Sequence, residues 1–123
     1  MSVPAVGAML LLALLPVSHA SASSREPARL QVTAREFSFA LSRQRVSAGP
    51  VVIELVNLGE DDHDLALRRT SRGATTRRIH TTGPAEVHDL ETRLREGRYL
   101  LWCTLADHRA RGMSATFVVG ARG

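Results

Sequence analysis

Beyond Pro27 the chain alternates apolar and polar positions in short runs, and turn residues break the runs apart. Leu30-Gln31-Val32-Thr33-Ala34 has the period of a half-buried strand. Glu36-Phe37-Ser38-Phe39-Ala40-Leu41 alternates too, which sets Phe37 and Phe39 on one face of a second strand. Val46-Ser47-Ala48-Gly49-Pro50 contains a turn, and the β-branched run Val51-Val52-Ile53-Glu54-Leu55-Val56 is bounded by Asn57 and Gly59. Leu65-Ala66-Leu67 begins another short strand. Residues 68–84 read as a long loop rich in Arg and Thr, ending at Gly83-Pro84. Glu86 to Leu94 is a polar strand, Arg95-Glu96-Gly97 a turn, Arg98 to Cys103 a strand, and Ala115 to Val119 the last one. No stretch of this part keeps a helical period. About seven short strands in about 100 residues predict an all-β chain, a Greek-key β-sandwich.

The first residues follow a different pattern. Residues 1–24 hold no Asp, Glu, Lys or Arg, and Val6 to Leu15 is an apolar run followed by Pro16 and the small residues Ser18, Ala20, Ser21 and Ala22. An apolar stretch before small residues is the pattern of a secretory signal peptide, with cleavage after Ala20 or Ala22. The run falls short of the roughly 20 apolar residues a spanning helix needs. The alternatives are a buried N-terminal helix or a membrane anchor. The expected organisation is therefore a signal peptide at 1–22, a short linker at 23–28 and one domain at 29–123. This predicts an exported protein, periplasmic, cell-surface or secreted, with no spanning segment after cleavage.

Charge changes the picture only modestly. The formal net charge is +4, and every basic residue is Arg. An Arg excess favours acidic partners. The aromatics are too few and too scattered for a base-stacking surface, which speaks against nucleic acid. The cluster Arg68, Arg69, Arg72, Arg77 and Arg78 reads either as a solvated loop or as a docking patch for an acidic redox partner.

The chain has one cysteine, Cys103, so an exported molecule cannot use it for an internal disulfide. It opens the stretch Cys103-Thr104-Leu105-Ala106-Asp107-His108-Arg109-Ala110-Arg111-Gly112-Met113, with His five residues after Cys and Met five further on. A loop between neighbouring strands can turn three such side chains to one point. Thiolate and thioether favour Cu(I), and imidazole also accommodates Cu(II). A second His is needed from the same end of the fold. His63, after the Val51–Val56 strand and its acidic loop, is the best placed; His80 lies in the Arg-rich loop and His88 mid-strand among charged neighbours. Zinc is the rival metal, although Met is a poor zinc ligand. A nucleophilic Cys103–His108 pair is a rival chemistry that lacks an orienting third group in the sequence.

These stretches resemble the type 1 (blue) copper proteins, the cupredoxin family, along most of the domain. Ala48-Gly49-Pro50-Val51 resembles the family's turn before a central strand, and Asn57-Leu58-Gly59 followed by His63-Asp64-Leu65 its loop before the first histidine ligand. Gly97 to Cys103 resembles the strand leading to the cysteine ligand, and His108-Arg109-Ala110-Arg111-Gly112-Met113 the closing His-x-x-x-Gly-Met. The resemblance implies that His63, Cys103, His108 and Met113 hold one copper ion, with Met113 the axial sulfur and the His108 edge the electron port. Two departures stand out: Asp107 where members with this loop length often carry Gly, and the acidic Glu60, Asp61, Asp62 and Asp64 around the first histidine. The function expected is one-electron transfer between partner proteins by a monomer that is not an enzyme. The alternatives are a copper carrier or buffer without an electron-transfer role, and an accessory domain whose metal is structural or absent.

Overall fold

The computed structural model describes residues 1–2 and 25–122. Beyond Ser2, the expected signal peptide lies outside the described residues. Nine strands follow: β1 (Ala28–Arg35), β2 (Ser38–Leu41), β3 (Arg45–Ser47), β4 (Gly49–Asn57), β5 (His63–Arg69), β6 (Arg77–Thr82), β7 (Val87–Leu94), β8 (Gly97–Trp102) and β9 (Ser114–Gly120). They form a four-stranded sheet in the order β2-β1-β4-β7 and a five-stranded sheet in the order β3-β9-β8-β5-β6. The chain leaves one sheet after β4, returns to pair β7 with β4, and leaves again for β8, which is the Greek-key route expected of this pattern. Among the described residues no helix is long and apolar enough to cross a membrane.

Alternation makes the sandwich. Leu30, Val32 and Ala34 of β1 point inward beside Ile53 and Leu55 of β4, with Leu30 opposite Ile53 and Val32 opposite Leu55 in a parallel register. Leu65 and Leu67, Tyr99 and Leu101, and Phe117 and Val119 supply the facing layer from β5, β8 and β9. A slip of one residue in any of these strands would turn its apolar set to solvent, so burial fixes the register. Tyr99 stacks on Phe117 with ring centroids 5.3 Å apart, and its hydroxyl closes the β7–β8 turn. That hydroxyl donates to the Arg95 carbonyl at 3.0 Å and accepts from the Arg95 N–H at 3.2 Å.

Two sequence expectations are corrected. Residues 68–84 are not one loop: β5 continues to Arg69, and Arg77–Thr82 form β6 at the sheet edge. Only Ile79 and Thr82 of β6 are buried, so this edge strand presents too few apolar positions to stand out in the sequence. Glu36 and Phe37 do not begin a strand; they are the turn between β1 and β2. Phe39 and Leu41 remain packed on the core edge, whereas Phe37 reaches a histidine ring at the end of the sandwich.

The strand directions gather the chemistry at one pole. The C-terminal ends of β1, β4, β6 and β8 meet the N-terminal ends of β5 and β9 there. Tyr99→Phe removes the hydroxyl that bridges the β7–β8 turn at the opposite pole. It should cost about 1 kcal/mol, read as a lower urea midpoint with an unchanged slope; an unchanged midpoint would show that the turn holds without it.

Candidate metal centre

The loop from β8 to β9 is tied to itself by main-chain hydrogen bonds. The Cys103 N–H donates to the Met113 carbonyl, the Met113 N–H to the His108 carbonyl, and the His108 N–H to the Leu105 carbonyl, each at 3.1 Å. Gly112 takes a φ of 105°, a conformation open to glycine and strained for other residues. The left-handed residue before His108 is Ala106, with a φ of 41°, not Asp107. Asp107 instead accepts from the Arg111 Nε at 2.8 Å, so the unexpected carboxylate is spent on closing the loop. That contact holds its carboxyl below the usual range.

His63 comes from the start of β5, fixed by a second loop. The buried Asn57 side chain donates to the carbonyls of Asp61 at 2.8 Å and Thr82 at 2.9 Å, and accepts from the Gly59 N–H at 2.9 Å. The two loops are cross-linked by Asp64. Its carboxylate accepts from the Thr104 N–H at 2.6 Å and from the Thr104 hydroxyl. A residue beside His63 is thereby pinned to the residue after Cys103.

The result is one compact cluster. One ligand atom from each of His63, Cys103 and His108 lies within 4.8 Å of the others, and all three residues are buried. The Cys103 Sγ is 3.6 Å from the His108 Nδ1. The rings of His63 and His108 have centroids 5.1 Å apart. A metal ion with bonds of about 2.0–2.3 Å needs its donors about 3.5–4 Å apart, so these groups fit one after closing by about 1 Å or less. Met113 is fully buried at the end of the same loop. His80 and His88 are not part of the cluster. Their rings lie 4.3 Å apart on the surface, with the Glu86 carboxylate 3.6 Å from His88.

The group beneath His63 is one that no sequence motif marks. Glu36, from the β1–β2 turn, lies with its carboxylate 3.0 Å from the His63 Nε2 and also accepts from the N–H groups of Glu60 at 2.9 Å and Asp61 at 2.8 Å. The Asp61 N–H above all, then the His63 ring and the Glu60 N–H, hold the Glu36 carboxyl down to about 2 against the cost of desolvation. An ionised carboxylate only accepts, so the His63 Nε2 carries the ring proton. In the neutral ring the His63 Nδ1 is then a bare lone pair, and it is the one buried side-chain nitrogen or oxygen among the described residues with no hydrogen-bond partner. An unpartnered buried nitrogen on a histidine of a Cys–His cluster fits a metal-ligand atom.

Phe37, next to Glu36, packs on the His108 ring with centroids 4.8 Å apart, and the Arg111 guanidinium covers Phe37 at 4.8 Å. The outer His108 Nε2 is 4.0 Å from the Asp61 carboxylate, and the side chain is 10% exposed. Burial pushes the Cys103 thiol up, and the charge of Asp64 adds to the effect. A wholly buried thiol of raised pKa is a poor nucleophile, which weighs against the nucleophilic reading of the Cys103–His108 pair.

No protein-family profile matches the sequence, and none of the curated proteins matches it either. Solved structures do. Auracyanin A, a "blue" copper protein of Chloroflexus aurantiacus, superposes with a TM-score of 0.62 at 17% identity over 77% of this chain and 100% of its own. Reduced rusticyanin gives 0.58 at 16% identity over 77% of this chain and 81% of its own. A multicopper oxidase gives 0.54 at 16% identity over 76% of this chain and 42% of its own. The chain has the cupredoxin fold, and its His–Cys–His cluster lies at one pole of it.

In the metal-free protein the Glu36 contribution to stability is full above the ordinary value of 4.5 and is lost as pH falls towards about 2, because the fold favours the ionised form. Glu36→Gln should therefore be less stable than the native chain at neutral pH, and the gap should close across that acid window. A gap that stays constant to the acid limit would contradict the contact. A Cβ at Gly59 would collide with the Glu36 carboxylate, so Gly59→Ala should mimic the variant.

Proposed function

We propose that this protein is an exported mononuclear type 1 copper protein that transfers single electrons between partner proteins. The observation that carries the reading is the buried cluster of His63, Cys103 and His108, in which the His63 Nδ1 has no hydrogen-bond partner. Imidazole, thiolate and imidazole are the donor set of trigonal blue-copper sites, and the fully buried Met113 thioether at the end of the same loop would be the fourth, weaker donor. Copper bound there supplies one-electron exchange between Cu(I) and Cu(II).

The remaining work belongs to the chain. Cys103 gives up its raised-pKa proton when the site is filled, so loading releases a proton. The self-bonded 103–113 loop and the Asp64–Thr104 cross-link keep the donors in place in either oxidation state. Phe37 and the protein around Cys103 exclude water, while the outer edge of His108 reaches the surface and serves as the electron port. A redox partner meets the rim there, where the exposed Arg109 offers positive charge to an acidic surface. Nothing in this scheme transforms a substrate, so we read the chain as a monomeric carrier and not as an enzyme. The apolar leader supports export.

Adding Cu(II) to the purified protein should give an intense visible charge-transfer band and a narrow copper hyperfine splitting. Both should vanish in Cys103→Ser and be lost or replaced by ordinary copper signals in His63→Ala. A pale spectrum in the native chain would refute the thiolate ligand. Reversible reduction with the ion retained distinguishes an electron carrier from a copper-delivery protein, which would surrender the ion in one oxidation state to a chelator.

A further inference from the structure

The Arg-rich segment that the sequence suggests as a docking patch is not beside the metal centre. β5 runs from His63 at one pole to Arg69 at the other, about 20 Å away at the rise of a strand. At that far pole the sandwich opens into a cleft of about 960 Å³. Six arginines line it: Arg69, Arg72, Arg77, Arg93, Arg95 and Arg122. They arrive from separate places, namely the end of β5, the loop after it, the start of β6, the end of β7, the following turn and the segment after β9. Convergence from so many segments cannot be a local run of like charge.

None of these six forms an ion pair with a carboxylate among the described residues. Glu96 is the single acidic residue in the lining. Arg69 donates to its backbone carbonyl at 3.0 Å and to the Ser71 hydroxyl at 2.9 Å, which fixes one guanidinium without neutralising it. Six uncompensated cations around a concavity repel one another unless an anion lies between them.

We propose that this cleft binds a compact polyanion carrying two or more phosphate groups, either free or as the headgroup of a larger molecule. The chemistry follows from shape. The volume is that of a small-ligand pocket, not of a flat protein contact. A guanidinium presents a planar fork that grips phosphate oxygens in pairs. Phosphates offer acceptors in every direction, which forks arriving from all sides require, whereas a carboxylate presents two oxygens in one plane. The site stands independently of the metal centre, and its occupant would leave the His108 edge free.

The test is calorimetric titration of the full chain at low ionic strength with inorganic tripolyphosphate, inorganic monophosphate and a poly-glutamate peptide. Tripolyphosphate should bind saturably at one site and at least about tenfold more tightly than the other two. The double variant Arg72→Ser/Arg93→Ser, both exposed, should weaken it at least about tenfold while the unliganded melting temperature holds or rises. Arg109→Ser/Arg111→Ser at the metal pole should leave tripolyphosphate affinity unchanged. In a second arm, phosphatidylcholine vesicles containing cardiolipin should capture the chain in a way the first double variant abolishes if the source is a lipid headgroup. Binding in either arm that depends on Arg72 and Arg93 upholds the proposal and names the source. Binding in neither arm, binding insensitive to that variant, or poly-glutamate binding as tight as tripolyphosphate overturns it.

Discussion

The site depends on a proton placed by a carboxylate. Glu36 is held ionised by two backbone N–H groups, and the only way His63 can meet it is with a protonated Nε2. That leaves the other ring nitrogen bare in a fully buried position. An unpaired buried acceptor costs free energy in the empty protein, on the order of 1–3 kcal/mol. A cation in the cluster removes that penalty. The same contact therefore orients the ring, selects its tautomer and keeps the ligand atom available, which is how outer groups tune metal sites elsewhere.

Everything else holds the two halves of the cluster in register. Asn57 fastens the loop that ends at His63, and the 103–113 loop fastens itself. Asp64 joins the two through Thr104. Because these bonds run from strand ends into loops, the sandwich core transmits its rigidity directly to the donors. The β1–β2 turn then supplies Glu36 beneath one imidazole and Phe37 against the other. One turn thus serves both histidines, and in the acidic 60–64 segment the N–H groups of Glu60 and Asp61 and the side chain of Asp64 are tied into the site.

Legibility in the sequence followed distance along the chain. Cys103, His108 and Met113 share one loop, so their order and spacing, together with the strands on either side, point to a candidate site. The core strands alternate cleanly, and β1, β4, β8 and β9 were all visible as patterns. His63 could be picked out because it follows a strand that must end near that loop. Glu36 could not, since its contact with His63 spans 27 residues and two separate turns. Its neighbours misled as well: Phe37 continues the alternation of Phe39, yet belongs to a turn. β6 hid for a different reason, because an edge strand with few buried side chains has no apolar period to read. The arginine cleft is likewise a product of topology, gathering residues from Arg69 to Arg122 at a pole that no linear segment defines.

The most direct measurement is nitrogen-15 NMR of the histidine rings in the metal-free protein, followed by addition of diamagnetic Cu(I). His63 should carry its proton on Nε2 with a bare Nδ1, and Cu(I) should move the Nδ1 resonance far more than the Nε2. A proton on Nδ1, rapid exchange between the two tautomers, or a Cu(I) effect centred on Nε2 would contradict that assignment.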